Sequence, residues 1–415
     1  MKKSILLTLT SFTLLHVATY GQQASGTSPA ARVDAKTFDA AKLTEKEISM
    51  EVNAGKSDVF LDNNYRTIEI KTWNQPKVKV STKVYLDGKS TLTDEQWFDK
   101  LNLGVKQAGG MVQITSRNIS SNITYYSTTT SSNSLVVFDG GGKNLGTIPN
   151  AKRAVTILIP EGSKLEVENQ YGKLQLSSNM QAVNIKSTNG SIEAADVNRL
   201  IVRSKYTPMV IGNVKDAEIE LTNGRLKAGN IDKLDIDSKY STVEIASVND
   251  AMLRSTNDEY EIEDAGDVKG RKSYGNFRIS NLKTGIDILG ANADIKIRNL
   301  SPTVETINID NKYADIRLPV NKIKNYAVKF NGKYNTVYAP FEKKPLTDTA
   351  SKKVNVASNS SGGTRIYTGT YVNGQTAISF ADAADSNGFT AQAGDVKGKH
   401  TKFLINCASC TVDFK

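Results

Sequence analysis

The chain has 415 residues, which is enough for two or three ordinary domains or for one long repeat array. Its net charge of +10 is spread along the sequence, and it contains only two histidines and two cysteines. Because His16 lies in the leader described next and only His400 remains, this composition nearly excludes catalytic triads and histidine-based zinc sites.

Residues 1–21, MKKSILLTLTSFTLLHVATYG, have the pattern of a secretory signal peptide. Two lysines precede an apolar run that is short for a membrane span, and small residues follow it. We therefore predict export, no transmembrane segment after signal removal, and a disordered lead over 22–44. Since exported proteins rarely meet nucleic acid, the positive charge does not predict binding to nucleic acid. The charge suits acidic polysaccharide or anionic lipid head groups, or a solvated β surface, which we favour.

A seventeen-residue repeat organises most of the remaining chain. With Leu234 as position 1 and Tyr240 as position 7, one frame fits eight units between residues 165 and 302. Position 7 alternates strictly: Tyr171, Asn189, Tyr206, Asn223, Tyr240, Asn257, Tyr274, Asn292. The same frame recurs around Tyr65, Tyr313, Tyr334 and Ser409. A constant period of this kind is typical of a repeat array.

Apolar side chains alternate on both sides of position 7, which predicts two short strands in each unit. Such strands bury a face only when units stack, with their backbones paired about 4.8 Å apart. The predicted fold is all-β, a right-handed parallel β-solenoid (β-helix) with rungs of about 17 residues and loop insertions. Its first rungs are expected at 45–86 and its regular repeats at 151–340. A two-layer array of hairpins is the alternative, although hairpins do not require a fixed length.

The direction of the position 7 side chains decides whether they are architecture or contact surface. Tyr240 shares strand parity with Leu234 and Ile236, which predicts that it points inward or along the corner and not into solvent. Two rings on adjacent rungs would crowd, so alternation with asparagine has a steric explanation, and the amide can bond neighbouring backbone. We interpret these residues as a structural corner ladder. The alternative is a binding strip.

Two regions interrupt the repeat. The first, 87–150, is expected to hold a short helix and then a loop rich in Ser, Thr and Asn. Thr93 and Gln96 have the spacing of a capping box, and Trp97 would dock on the repeat. The second, 341–415, is a polar excursion followed by a hairpin or an irregular rung and then by terminal rungs.

Two segments carry a family resemblance. NNYRTIEIKTWNQPKVKV (63–80) and VTILIPEGSKLEVENQYGKLQL (155–176) resemble the two signatures of the putative adhesin family, a domain of unknown function in exported Gram-negative proteins. The resemblance covers most of the mature chain. It implies a β-strand-repeat solenoid in the periplasm or at the cell surface, and no catalytic residues. The Ser/Thr-rich insertion and the terminal cysteine pair depart from the family pattern.

A cysteine pair and an acidic cluster are the remaining candidates for chemistry. Cys407 and Cys410 form a CxxC motif at a predicted β corner, without the helix of a redox motif or the following histidine of a haem site. We predict a local disulfide, with free or intermolecular thiols as the alternative. The cluster NDEYEIEDAGD (257–267) reads as a solvated face, because alternation places Glu261 and Glu263 outward. We predict no catalytic, cofactor-binding or metal-binding residues and no cofactor.

Three functions remain after these exclusions. The first is a non-enzymatic exported β-solenoid, an adhesin or envelope-surface protein whose insertions bind an anionic polysaccharide or an envelope protein. The second is a polysaccharide-active β-helix enzyme, a lyase or hydrolase, although no acidic and basic set recurs at one frame position on consecutive rungs. The third is a periplasmic scaffold or sensor that docks a partner on the exposed edge after Phe414.

Overall fold

A computed structural model of the chain describes residues 42–55, 57–119, 135–148, 154–346 and 388–415, together with the backbone of three short strands between 353 and 377. The predicted signal peptide, almost all of the predicted lead and half of the Ser/Thr/Asn-rich loop lie outside the described residues. The described part is all-β with one α-helix, so the predicted fold class is confirmed at that level.

The first part of the chain contains one helix, α1 (Asp94–Lys100), and sixteen strands. The strands are β1 (Thr44–Asn53), β2 (Asp58–Asn64), β3 (Thr67–Trp73), β4 (Lys77–Asp87), β5 (Leu103–Ala108), β6 (Met111–Ser116), β7 (Leu135–Asp139), β8 (Asn144–Ile148), β9 (Ala154–Pro160), β10 (Lys164–Gln170), β11 (Lys173–Leu176), β12 (Met180–Thr188), β13 (Ser191–Ala194), β14 (Val197–Lys205), β15 (Pro208–Ile211) and β16 (Val214–Thr222).

The second part of the chain continues the repeat as far as the carboxy-terminal strands. Its strands are β17 (Arg225–Lys239), β18 (Thr242–Thr256), β19 (Glu259–Leu300), β20 (Thr306–Lys312), β21 (Ile316–Leu318), β22 (Tyr326–Lys333), β23 (Thr336–Tyr338), β24 (Lys344–Pro345), β25 (Lys353–Ser358), β26 (Arg365–Val372), β27 (Gln375–Ala377), β28 (Phe389–Ala393), β29 (Thr401–Ala408) and β30 (Thr411–Phe414).

Between β12 and the start of β19, the repeat appears in the strand pairing as a register of seventeen residues. Val197 pairs with Val214, Val214 with Ile231, and Ile231 with Val248, so one position forms a column across successive rungs. The segments before and after position 7 each pair in parallel with their counterparts, as β12 does with β14 and β13 with β15. The result is one large, mostly parallel sheet that contains all of the described strands except β25, β26 and β27.

The core is the inward face of these segments. Positions 10 and 12, which the sequence predicts to be apolar, are buried in successive rungs, as Val243 and Ile245 and then Tyr260 and Ile262 show. Because equivalent positions stack at single-rung spacing, each side chain packs against its counterparts above and below. This stacking holds together segments that are too short to be stable alone.

The helix in the first insertion forms as its capping signal predicts. The Gln96 backbone amide donates to Thr93 Oγ1 at 3.3 Å, and the Thr93 amide donates to Gln96 Oε1 at 2.9 Å. Trp97 is buried, and its ring meets Phe138 edge to face with centroids 4.9 Å apart. Within the described ranges, no helix is both long and apolar enough to cross a membrane.

Antiparallel strands flank the parallel ladder. β1 pairs with β4, β5 with β6 and β7 with β8 in the first part of the chain, and β28 pairs with β22 and β24 in the last part. β26 and β27 pair antiparallel, which agrees with the hairpin alternative predicted after the polar excursion, and β25 joins them in a separate three-stranded sheet.

The carboxy-terminal strands occupy an internal place in the large sheet. β29 pairs in parallel with β20 on one side and β22 on the other, and β30 lies in the same way between β21 and β23. The position 7 residues therefore follow the spatial order Tyr313, Ser409, Tyr334. The expectation of a free docking edge after Phe414 is wrong, because β30 has a partner on each side and Phe414 is buried.

Removal of residues 401–415 should therefore lower the melting temperature sharply and promote aggregation. Two parallel edges would lose their shared partner, and the buried side chains of Phe403, Val412 and Phe414 would leave the core. Circular dichroism melting with light scattering measures both effects. Leu404→Ser, on the more exposed face of β29, is the control and should melt like the native chain. A truncated chain that stays monomeric with the native melting temperature would contradict the internal placement.

Candidate functional site

Position 7 has a left-handed backbone conformation at every repeat corner named in the sequence analysis. The tyrosines, asparagines and Ser409 at this position all have φ between 52° and 65°: Tyr65, Tyr171, Asn189, Tyr206, Asn223, Tyr240, Asn257, Tyr274, Asn292, Tyr313, Tyr334 and Ser409. Asparagine is several-fold enriched in this region, whereas a bulky side chain there is an outlier. The alternation therefore sets a favourable residue and an unfavourable one in the same backbone conformation.

The corner backbone also continues the hydrogen-bond ladder of the strands. The Tyr206 amide donates to the Thr222 carbonyl at 3.0 Å, and the Asn223 amide donates to the Lys239 carbonyl at 2.9 Å. The amide of Tyr240 donates in turn to the next rung at 3.0 Å. The same bond, from the position 7 amide to the position 6 carbonyl of the neighbouring rung, recurs at Tyr65, Tyr171, Asn189, Asn257, Tyr313 and Ser409. The corner therefore pairs backbone groups that it would otherwise leave unpaired.

The tyrosine side chains at position 7 lie in solvent. Tyr240 is 62% exposed and Tyr334 is 79% exposed, and the others are about half exposed or more. The expectation that this position points inward is wrong, since the positive φ at the corner breaks the strand parity on which it depended. We call the exposed set the tyrosine column: Tyr65, Tyr171, Tyr206, Tyr240, Tyr274, Tyr313 and Tyr334.

Crowding does not explain the alternation either. Tyr65 and Tyr171 lie on adjacent rungs, because β2 pairs directly with β10, and their rings stack with centroids 4.8 Å apart and planes 6° from parallel. Beyond this pair, a tyrosine occurs on every second rung, at a spacing of roughly 9.6 Å. An adjacent pair is therefore compatible with the fold, and the wider spacing is a separate property of the column.

Behind the tyrosine column, positions 5 and 8 face each other inside the corner. The Asn169 Nδ2 donates to the Gly172 carbonyl at 2.8 Å, and the Asn63 Nδ2 donates to Asn169 Oδ1 at 2.8 Å, so bonds run within and between rungs. Cys407 and Cys410 occupy the same two positions in their rung, where a disulfide joins them with Cα atoms 6.0 Å apart. The disulfide therefore occupies the two corner positions, 5 and 8, that hold polar side chains in several other rungs.

One corner contains a buried carboxylate that the pattern did not indicate. Asp258 accepts hydrogen bonds from the hydroxyls of Ser238 and Ser255 at 2.8 and 2.6 Å and from the Ser241 amide at 2.7 Å. Its assignment to a solvated face is wrong, because position 8 points into the corner and Asp258 is 1% exposed. The rest of the prediction is confirmed for Glu261 and Glu263, which are exposed.

A buried lysine completes this cluster. Lys272 is at position 5 of the following rung, is fully buried, and donates from Nζ to the Asp258 carbonyl at 2.8 Å. Burial lowers its pKa to about 8, and the nearby Asp258 and Glu259 act in the opposite direction. Burial also raises the pKa of Tyr260, whose hydroxyl lies 2.5 Å from Ser238 Oγ. Lys272 is the only charged residue at position 5 of the repeat corners, and this is the sequence signal that could have revealed the cluster.

Other concave surfaces present less distinctive chemistry. A groove of about 780 Å³ runs past Asp196 and Asn213, whose backbone amide donates to the Asp196 carboxylate at 2.8 Å. Over the described ranges, no three His, Cys, Asp or Glu side chains converge as a metal site would require.

Comparison with known proteins identifies structural neighbours only. No protein-family model and no curated protein matches the chain. A putative adhesin from Parabacteroides merdae ATCC 43184 has 9% identity and a TM-score of 0.33, and the match covers 65% of this chain and 96% of that chain. A putative adhesin from Parabacteroides distasonis ATCC 8503 has 11% identity and a TM-score of 0.32, with 64% and 97% covered.

A third solved structure has a different name. A putative lipid binding protein from Parabacteroides distasonis ATCC 8503 has 14% identity and a TM-score of 0.24, with 64% of this chain and 96% of that chain covered. At these identities the likeness concerns the fold alone.

Tyr240→Asn should leave the melting temperature unchanged or slightly raised. Asparagine is the residue that adjacent rungs use in this conformation, and its preference for positive φ relieves a cost of about 1 kcal/mol. Asn223→Ala is the control and should lower stability by a similar amount, because alanine lacks that preference. A marked fall in the melting temperature of Tyr240→Asn would show that the ring stabilises the corner.

The free energy of unfolding should rise with pH between about 8 and 10. The folded protein releases the Lys272 proton near pH 8, whereas the unfolded chain holds it up to the ordinary value of 10.5, so the unfolded state binds more protons in this range. Above pH 10, the raised pKa of Tyr260 acts in the opposite sense. Urea unfolding should show the rise in the native chain and in the exposed-site control Lys227→Met. The rise should be lost in Lys272→Met, and its persistence there would refute the assignment.

Proposed function

We propose that this protein is a non-enzymatic, exported surface-interaction protein that binds its partner along the tyrosine column. The observation that carries the proposal is the set of exposed tyrosines held at positive φ on one corner. A left-handed backbone costs an ordinary L-residue about 1–2 kcal/mol, so tyrosine is an unfavourable choice at a site where asparagine serves on the rungs between. Such outliers are typical of functional sites.

The chemistry of tyrosine supports a contact role. An exposed tyrosine offers a large apolar face and a hydroxyl, and its side chain loses little conformational entropy when it is fixed by a partner. The buried positions 5 and 8 supply the rigid support behind each ring, so the column is preorganised. This assigns recognition to the repeat corner and not to the insertions at 87–150 and 341–400.

The proposed setting follows from the leader and the family resemblance. We propose cleavage of the signal peptide 1–21, a disordered lead over 22–44, and a right-handed β-solenoid of seventeen-residue rungs in the periplasm or on the surface of a Gram-negative cell. The seventeen-residue parallel register supports this architecture. A scaffold that docks through a terminal rung is disfavoured, because β29 and β30 are enclosed by neighbouring strands.

Beads coated with the purified mature chain should adhere to envelope preparations through the tyrosine column. The triple variant Tyr206→Asn, Tyr240→Asn, Tyr274→Asn should reduce bead adhesion at least about tenfold while its melting temperature stays unchanged or rises, since loss of buried aromatic contacts costs well over 1.4 kcal/mol at an interface. Asn223→Ser in the same corner is the control and should adhere normally. Equal adhesion by the native chain and the triple variant would defeat the proposal.

A further inference from the structure

Position 6, directly before the tyrosines, alternates in step with them. Lysine precedes four of the tyrosines, giving the pairs Lys205 and Tyr206, Lys239 and Tyr240, Lys312 and Tyr313, and Lys333 and Tyr334. The asparagine rungs between Tyr171 and Tyr274 have threonine there instead, at Thr188, Thr222 and Thr256. We call the four pairs the lysine–tyrosine strip. Its cations and its rings therefore occur on the same rungs.

The strip lysines are exposed and their charge is not neutralised by a neighbour. No ion pair or side-chain hydrogen bond of Lys205, Lys239, Lys312 or Lys333 occurs within the described part of the chain, and all four are exposed. Two carboxylates in the same rungs or the next ones are paired with arginines. Glu220 pairs with Arg203 at 3.2 Å and Asp237 pairs with Arg254 at 3.5 Å.

The strip is long, narrow and periodic. From Tyr171 to Tyr334 the column crosses ten rung spacings, or about 48 Å, and a tyrosine recurs at roughly 9.6 Å. A linear polymer laid along the column would meet a tyrosine ring at every second rung and a lysine at four of these six tyrosine rungs. A compact partner would use only part of this length.

We propose that the lysine–tyrosine strip binds a linear anionic polysaccharide lengthwise. Acidic groups of the polymer pair with the lysine ammonium groups, and the apolar faces and hydroxyls of the sugars contact the tyrosine rings and their hydroxyls. A β-linked sugar advances an extended chain by a distance close to one rung, so a polymer of alternating neutral and acidic sugars matches the two-rung period. This inference rests on the proposed role of the tyrosine column as the binding surface.

The periodicity favours a polysaccharide over other anionic partners. Each strand of B-DNA has a phosphate every 3.4 Å, so about three phosphates would lie along each two-rung spacing of the strip. Membrane surfaces are bound by dense clusters of basic residues or by bulky apolar side chains that insert at the head groups, whereas the strip lysines lie two or more rungs apart. Position 7 between Tyr171 and Tyr334 alternates tyrosine only with asparagine and serine, and position 6 is polar or small.

Affinity electrophoresis and calorimetry on the purified mature chain test the inference. The probes are polygalacturonate and hyaluronan, with dextran as the neutral polysaccharide, duplex DNA, and vesicles of phosphatidylcholine with phosphatidylserine. We expect binding to at least one uronate polymer that weakens with salt, and none to dextran. Lys205→Thr with Lys239→Thr should weaken that binding at least about tenfold, because each change removes a charge-assisted hydrogen bond. Lys215→Thr with Lys233→Thr removes the same charge elsewhere and should bind normally.

Several results would overturn the inference. They are the absence of binding to both uronate polymers, tighter binding to DNA or to vesicles than to either polymer, and equal losses in the strip and control variants. If bead adhesion still depends on the tyrosines while the polymers fail to bind, the column remains the binding surface and only the polysaccharide assignment falls. If neither the tyrosine nor the lysine variants change any binding, both proposals fail together.

Discussion

The conformation of the repeat corner depends on a hydrogen bond from the position 7 amide to the position 6 carbonyl of the next rung. This bond lets the ladder of one strand segment pass around the corner into the next, and the backbone makes it with a positive φ at position 7. Asparagine accommodates this conformation and tyrosine does not favour it. The same conformation turns the position 7 side chain away from the core. A requirement of the backbone therefore creates an exposed column of side chains.

The interior of the corner tolerates varied chemistry because it has two facing positions. Paired amides, hydroxyls, a disulfide and a buried lysine beside a carboxylate all occupy positions 5 and 8 in one rung or another. These solutions pair most of the polar groups that the corner buries, although Asn63 Oδ1 and Asn311 Oδ1 are buried without a hydrogen-bond partner. An unsatisfied group of this kind costs about 1–3 kcal/mol. Lys272 is the least ordinary of these solutions, since burial makes its charged form unfavourable.

The alternation at position 7 follows neighbours in space and not neighbours in the chain. Tyr313 and Tyr334 belong to rungs that are consecutive among the first 340 residues, yet the last rung of the chain lies between them and brings Ser409 into the gap. A small residue thus separates the two rings, as asparagine does elsewhere. The stacked pair of Tyr65 and Tyr171 shows that the fold also accepts adjacent rings. The two-rung spacing is thus maintained where the backbone does not demand it, which is why we relate it to a ligand.

The amino-acid sequence by itself determined the seventeen-residue period, the strand segments, the buried positions 10 and 12 and the capped helix at Thr93. These features depend on contacts between near neighbours or on the same contact repeated at every rung, so a local pattern contains them. Only the tertiary structure decided the direction of Tyr240, the burial of Asp258 and the internal place of residues 401–414. The first two depend on a single left-handed residue that reverses strand parity. The internal place of residues 401–414 depends on strand pairing between residues almost 100 positions apart. The repeat does not indicate which rungs are neighbours, because each rung has the same sequence pattern.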